Sequence, residues 1–202
     1  MSTNYLEKRA LLLSYLTVGY NVLEGTISII TGALAGSVAL VGFGIDSAIE
    51  SLSGGIMIWR FRNTEKRSEE ENERIEKLSQ KLVAITFFIL AAYVLYESIE
   101  KLVSSDIPEP SLLGIGIAVA SFIFMPILYY FKMKTAKALG SKSLEADAKE
   151  TLACWFLSIA LLIGLALNYF AGLWQADPIV GILIVIYLVK EGYENFTEEE
   201  EE

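Results

Sequence analysis

Apolar stretches of membrane-crossing character recur six times along the chain. They are Leu11–Ala35, Ser37–Ile58, Leu82–Val103, Leu112–Phe131, about Ser143 to Phe170, and Pro178 to about Val189, the last being the shortest. A helix needs about 20 apolar residues to cross the hydrocarbon core of a bilayer, and inside that core it must satisfy its own backbone. The pattern predicts an all-α integral membrane protein with six transmembrane helices, a single domain over residues 1–202. Hydrophobic residues make up 53% of the 202, and they come in long runs rather than at the spacing of a soluble core. The chain passes from a short polar start into its first apolar stretch with no small-residue cleavage site, so no cleavable signal peptide is expected.

The connections set the orientation. Arg60–Lys81 and Lys132–Lys142 are rich in Lys and Arg, and Lys8 and Arg9 precede the first span. Ser104–Ser111 and Ala171–Pro178 contain neither, and Lys101 is the one basic residue near that face. The positive-inside rule then predicts both termini in the cytoplasm, with even-numbered spans running inward. Residues 60–81 are expected to be a charged cytoplasmic connection that extends its flanking helices, and 193–202 an acidic tail. No soluble domain is expected after the sixth span.

Composition excludes several functions. The chain has no His and one Cys, which removes an imidazole metal site, a His general base and an internal disulfide. It shows no Gly-rich phosphate loop and no basic nucleic-acid patch, so no nucleic-acid partner is expected. The net charge of −9 is concentrated in Glu198–Glu202 and in the 65–76 region. Both read as solvated charge rather than as a binding surface.

Charges within the spans are more informative, because an ionisable group at mid-membrane costs about 2.5–3.5 kcal/mol on insertion scales. Asp46 and Glu50 are four apart in the second span, on one helix face. Their mutual repulsion calls for a cation or a shared proton, and no Lys or Arg within the six apolar stretches is available to neutralise both. Glu150 and Cys154 have the same spacing in the fifth span. The second and fifth spans are expected to be antiparallel. If they face each other, Asp46 is level with Cys154, and Glu50 with Glu150. Three carboxylates and a thiolate suit a tetrahedral transition-metal ion softer than Mg²⁺ or Ca²⁺, although a lone Cys in an apolar helix also serves as plain packing. Asn21 and Glu24 either line a cavity or bond a neighbour. Asp147 either joins the cavity or ends a helix at the interface. Asp177, before Pro178, is expected to cap the sixth helix. Glu97 and Glu100 are expected to be wet.

Taken in order, "GALAGSVALVGFGIDSAIESLSGG" (32–55), "SLEADAKETLACWFLSIALLIGL" (143–165) and "WQADPIVGILIVIYLV" (174–189) resemble the cation diffusion facilitator family across the whole six-span region. The resemblance implies a homodimeric exporter of divalent metal coupled to proton entry, usually of zinc, with the transport site on Asp46, Glu50, Glu150 and Cys154. It implies a short, divergent member, because Glu150 and Cys154 stand where the family more often has His or Asp, and Asp, and Glu50 where it more often has Asp. The implied substrate is Zn²⁺ first, then Cd²⁺, Fe²⁺, Mn²⁺ or Co²⁺. The implied setting is the cell's inner or plasma membrane. A membrane metal sensor that does not transport, or a structural membrane protein, would carry the same polar residues. Small residues at Gly32, Gly36, Gly54, Gly55, Gly114, Gly116, Ala118 and Ala120 are expected to permit close helix contacts and a homodimer.

Overall fold

The computed structural model of the chain describes residues 3–35, 38–104, 112–171 and 175–197. The connection 105–111 and the terminal run 198–202 lie outside the described residues. Six helices form: α1 (Thr3–Ala35), α2 (Val38–Phe61), α3 (Glu69–Ser104), α4 (Leu112–Leu139), α5 (Lys142–Ala171) and α6 (Ala176–Thr197). A single 3-10 turn at Thr64–Lys66 joins α2 to α3, and no strand occurs among the described residues. The shortest helix has 22 residues, about 33 Å at 1.5 Å per residue, enough to cross a bilayer.

Among the described residues, two helices carry an uninterrupted window apolar enough to cross a membrane by length and composition alone: Glu69–Ser104 and Ile115–Leu139. In α2 and α5 polar side chains that turn inward interrupt the apolar run, such as Asp46 and Glu50 on α2 and Asp147 and Glu150 on α5. Apolar side chains cover the outside instead. Leu23, Leu34, Phe122, Ile123, Phe170 and Ile186 are all exposed. A surface that apolar, around a polar interior, suits lipid rather than water.

The helices close into a ring: α1 packs on α2 and α4, α4 on α5, α5 on α6, α6 on α3, and α3 on α2. Contacts of α5 with α2 and α3 cross the middle, which puts the α2–α5 seam at the centre. Glycine permits the tight α1–α2 join. A Cβ on Gly25 would lie 2.9 Å from the Gly44 carbonyl oxygen, and one on Gly32 would lie 2.7 Å from the Val41 nitrogen. Gly32 and Gly54 are thus used within the chain, Gly54 against Val18, whereas Gly55 and Gly116 have open space beside them.

Several expected boundaries move. Residues 69–81 are the first turns of α3, started by a capping box in which the Glu71 amide donates to Ser68 Oγ at 3.2 Å and the Ser68 amide to Glu71 Oε2 at 3.0 Å. Tyr193–Thr197 continue α6 rather than beginning a tail. At Asp177 the backbone is already helical, since α6 starts at Ala176, and its side chain lies outside the described ones. Residues 132–139, expected in a connection, are the last two turns of α4. Pro126 within α4 removes the amide that would bond the Phe122 carbonyl. The Trp155 indole of α5 donates to that carbonyl instead, at 3.0 Å, so the break in one helix becomes the docking point of the next.

At the end that carries the charged connection, Glu76 joins three helices. It takes the Arg60 guanidinium of α2 at 2.8 Å. It also accepts from Ser141 Oγ, from the Ser143 amide and from Ser143 Oγ, at 2.8–2.9 Å. A carboxylate is favoured there by the dipole at the N-terminus of α5. Gly140, at φ 66°, turns the chain between α4 and α5, where only a residue without Cβ is unstrained.

Candidate functional site

The α2–α5 seam brings together the residues that the spacing singled out. Asp46, Glu50, Glu150 and Cys154 are all buried, Glu50 and Glu150 completely. Cys154 Sγ donates to Asp46 Oδ1 at 3.5 Å, so these two are level across the seam. Glu50 acts electrostatically on Asp46, Glu150 and Cys154 together. Neither oxygen of Glu50 has a hydrogen-bond partner, in a place where an unmet carboxylate is costly. Glu150 is held on one side, accepting from Thr86 Oγ1 of α3 at 3.0 Å, while its other oxygen is unmet.

Among the described residues, no three His, Cys, Asp or Glu side chains converge closely enough to enclose a metal ion. In this arrangement the four groups are neighbours, with Glu150 turned to Thr86 and Asp46 to the thiol. A four-ligand shell requires these groups to draw closer together, with the unmet oxygen of Glu150 free to take part.

A turn along α5, toward the charged end, the chemistry changes. Lys132 of α4 forms an ion pair with Asp147 at 2.8 Å, and both side chains are completely buried. Lys132 also donates to Thr151 Oγ1 at 2.9 Å. Ser53 of α2 lies between Glu150 and Asp147 and gives its one proton to Asp147 Oδ1 at 2.7 Å. This corrects two expectations. Asp147 is a buried ion-pair partner, not an interfacial residue. The interior does contain a lysine, because α4 runs on past Phe131, but Lys132 serves Asp147 rather than the Asp46–Glu50 pair. Lys149 of α5 bridges to Glu191 of α6 at 2.8 Å.

A third cluster surrounds Glu24 of α1. Its carboxylate accepts from Ser47 Oγ at 2.9 Å, from Tyr20 OH at 3.0 Å, and from Ser121 Oγ of α4. Glu24 therefore bonds its neighbours. Asn21 is completely buried, and neither amide atom has a partner. At the other end of the bundle Glu97 pairs with Lys101 at 3.0 Å, and both side chains are less than one-fifth exposed.

Lys132, Thr86, Ser53 and Ser121 escaped the reading of the sequence, and Glu97 was expected only to be wet. Lys132 could have been found, since a lysine bordered by "PILYYF" has the makings of a buried α4 residue. Lone hydroxyls in apolar helices carry no such signal.

An all-α polytopic protein, with three buried carboxylates and a thiol at the seam of its two central helices, is a membrane protein built to handle charge in its interior. The pattern of the cation efflux transmembrane domain matches residues 14–199, and the chain belongs to the cation efflux family. Among curated proteins, an uncharacterised transporter of Methanocaldococcus jannaschii is 25% identical over 183 residues, which is 89% of this chain and 64% of that protein. The manganese efflux system protein MneS of Bacillus subtilis is 23% identical, over 85% of this chain and 60% of its own length. A cadmium, cobalt and zinc/H⁺–K⁺ antiporter of the same bacterium is 22% identical, over 92% and 60%. The chain thus spans less than two thirds of the length of these relatives.

Proposed function

We propose that the chain is a secondary transporter that exports a divalent transition-metal cation from the cytoplasm, with zinc the first expectation. The observation that carries this reading is Glu50, completely buried, with both oxygens unmet, beside the Asp46–Cys154 pair and Glu150. A carboxylate in that position is stabilised by a cation or by a proton, and alternation between the two is the exchange that an antiporter needs. The names of the two Bacillus relatives support a transition-metal substrate, and the single thiol favours Zn²⁺ or Cd²⁺ over harder ions.

In this mechanism the cation enters from the Arg60–Lys81 side. A cavity of about 800 Å³ lies there, lined by Glu7, Arg60, Glu73, Glu76 and Lys142 among others. At the seam the cation displaces protons from Glu50 and Glu150 and takes Asp46 and Cys154 as further ligands. Protons arriving from the opposite side then compete the ligands away from the metal. The helices around the seam rock between the two accesses. Both termini face the cytoplasm, the membrane is the cell's plasma or inner membrane, and two copies associate through their lipid-facing sides.

Metal uptake into inverted vesicles tests the function. Wild-type protein accumulates Zn²⁺ or Cd²⁺ when the vesicle interior is acidic, whereas Asp46→Asn inserts normally and does not accumulate it. Equal uptake by the two proteins contradicts the reading. A Cys introduced at Ser105, in a Cys154→Ser background, should react with an impermeant thiol reagent from outside intact cells. Reaction only after permeabilisation reverses the orientation.

A further inference from the structure

At the end of the bundle away from the charged connection, a cavity of about 60 Å³ lies between α2, α3, α5 and α6, roomy enough for water or an ion. Its walls include Asp46 at one side and Glu97, Lys101 and Tyr93 at the other. Gly42 also lines it, one helical turn before Asp46 on the same face of α2. A Cβ on Gly42 would collide with Glu97 Oε1 and would lie 2.5 Å from the Tyr93 hydroxyl. The missing side chain is what lets the Glu97 carboxylate rest against the α2 backbone, about 6 Å along the helix axis from Asp46. Lys101 holds that carboxylate at 3.0 Å from a mostly buried position.

We propose that Glu97 is a second, transient carboxylate station for the divalent cation between Asp46 and the α3–α4 end of the bundle, with Lys101 as its exchangeable counter-ion. This rests on the reading of the α2–α5 seam as the transport site. When the cation is at the seam, Lys101 neutralises Glu97. When the cation moves one turn on, it replaces the ammonium, whose long stem can carry the charge out to the interface. The exchange spares the cavity an unpaired carboxylate, which would be costly at that depth. A purely structural ion pair makes a different demand, since it is broken equally by removing either partner.

That asymmetry is the test. Equilibrium Cd²⁺ binding in detergent and initial Cd²⁺ transport in proteoliposomes are measured for wild type, Glu97→Gln, Lys101→Met, Gly42→Ala and Asp46→Asn. Glu97→Gln should bind within about twofold of wild type yet transport about tenfold more slowly or worse, the scale on which groups beyond the direct ligands affect metal sites. Gly42→Ala, which displaces the carboxylate without removing it, should slow transport in the same direction. Lys101→Met removes the counter-ion but keeps the carboxylate that receives the cation, and should lose clearly less turnover than Glu97→Gln. If Glu97→Gln does not insert, Glu97→Asp set against Lys101→Met carries the same contrast. Equal losses in Glu97→Gln and Lys101→Met, or wild-type turnover in Glu97→Gln, overturn the station. Undiminished Cd²⁺ binding in Asp46→Asn marks the separate failure of the seam as the site, and the station falls with it.

Discussion

Glu50 of α2 and Asp147 of α5 lie on facing helices, each completely buried. Asp147 has a lysine ammonium in ion-pair contact with one oxygen at 2.8 Å and a serine hydroxyl bonded to the other at 2.7 Å. Glu50 has no hydrogen-bond partner for either oxygen. Burial is the same, so the difference lies in what the neighbouring helices supply. A buried acid met by a fixed cation is a structural element: removing one partner strands the other. A buried acid left unmet is held ready for something mobile. Glu24, met by three hydroxyls, stands between the two. The same residue type thus marks scaffold or site according to its partners.

The largest effect that can break this comparison is expected at the unmet acid. Glu50→Gln should abolish metal transport and leave folding intact or improved, since it removes a buried charge that has no partner. Loss of folding together with transport would make Glu50 structural after all.

Lys132→Met should do the reverse. It should destabilise the protein by about 3–5 kcal/mol by stranding the Asp147 carboxylate, read as a lower melting temperature in detergent, and molecules that remain folded should bind Cd²⁺ normally. The double variant Lys132→Met/Asp147→Leu should recover most of the loss. Unchanged stability in Lys132→Met would show that the pair is not the fixed element described.

A smaller effect separates the ligands themselves. Cys154→Ser should weaken Cd²⁺ about tenfold or more while changing Mn²⁺ little, because thiolate sulfur distinguishes soft from hard ions. An unchanged ranking in competition titrations would remove Cys154 from the ligand set and leave it as packing.

The smallest effect is expected at Thr86. Its hydroxyl occupies one oxygen of Glu150, and a hydrogen bond of about 1 kcal/mol corresponds to roughly fivefold in affinity. Thr86→Val should tighten metal binding by about that factor. Weaker binding would mean that Thr86 positions Glu150 for the metal rather than restraining it.

These contrasts also show what was legible in the sequence. The helices were, because apolar length and self-satisfied backbone leave the bilayer few alternatives. Asp46 facing Cys154 was legible too. The i,i+4 spacing selects a helix face, and the alternating charge of the connections makes α2 and α5 antiparallel, which sets the level. Lys132 was not, because a lysine beside a basic segment looks like the end of a span. Only the continuation of α4 to Leu139 shows that its ammonium is inside. Glu97 was hidden for a similar reason: its distance from mid-membrane suggested water, whereas the absent side chain of Gly42 lets it fold against α2. Thr86 and Ser53 act through contacts between elements distant in the chain, and no local pattern announces those.

The central claim is that the α2–α5 seam exchanges a divalent metal for protons. It is tested most directly by reconstituting the protein in liposomes, adding Zn²⁺ to one side, and recording metal entry and internal pH together. Carboxylic acids and a thiol must lose protons to bind metal, so wild-type protein should move Zn²⁺ in and protons out in a fixed ratio, while Glu50→Gln moves neither. Zinc entry without proton movement, or coupled exchange that persists in Glu50→Gln, would contradict the account.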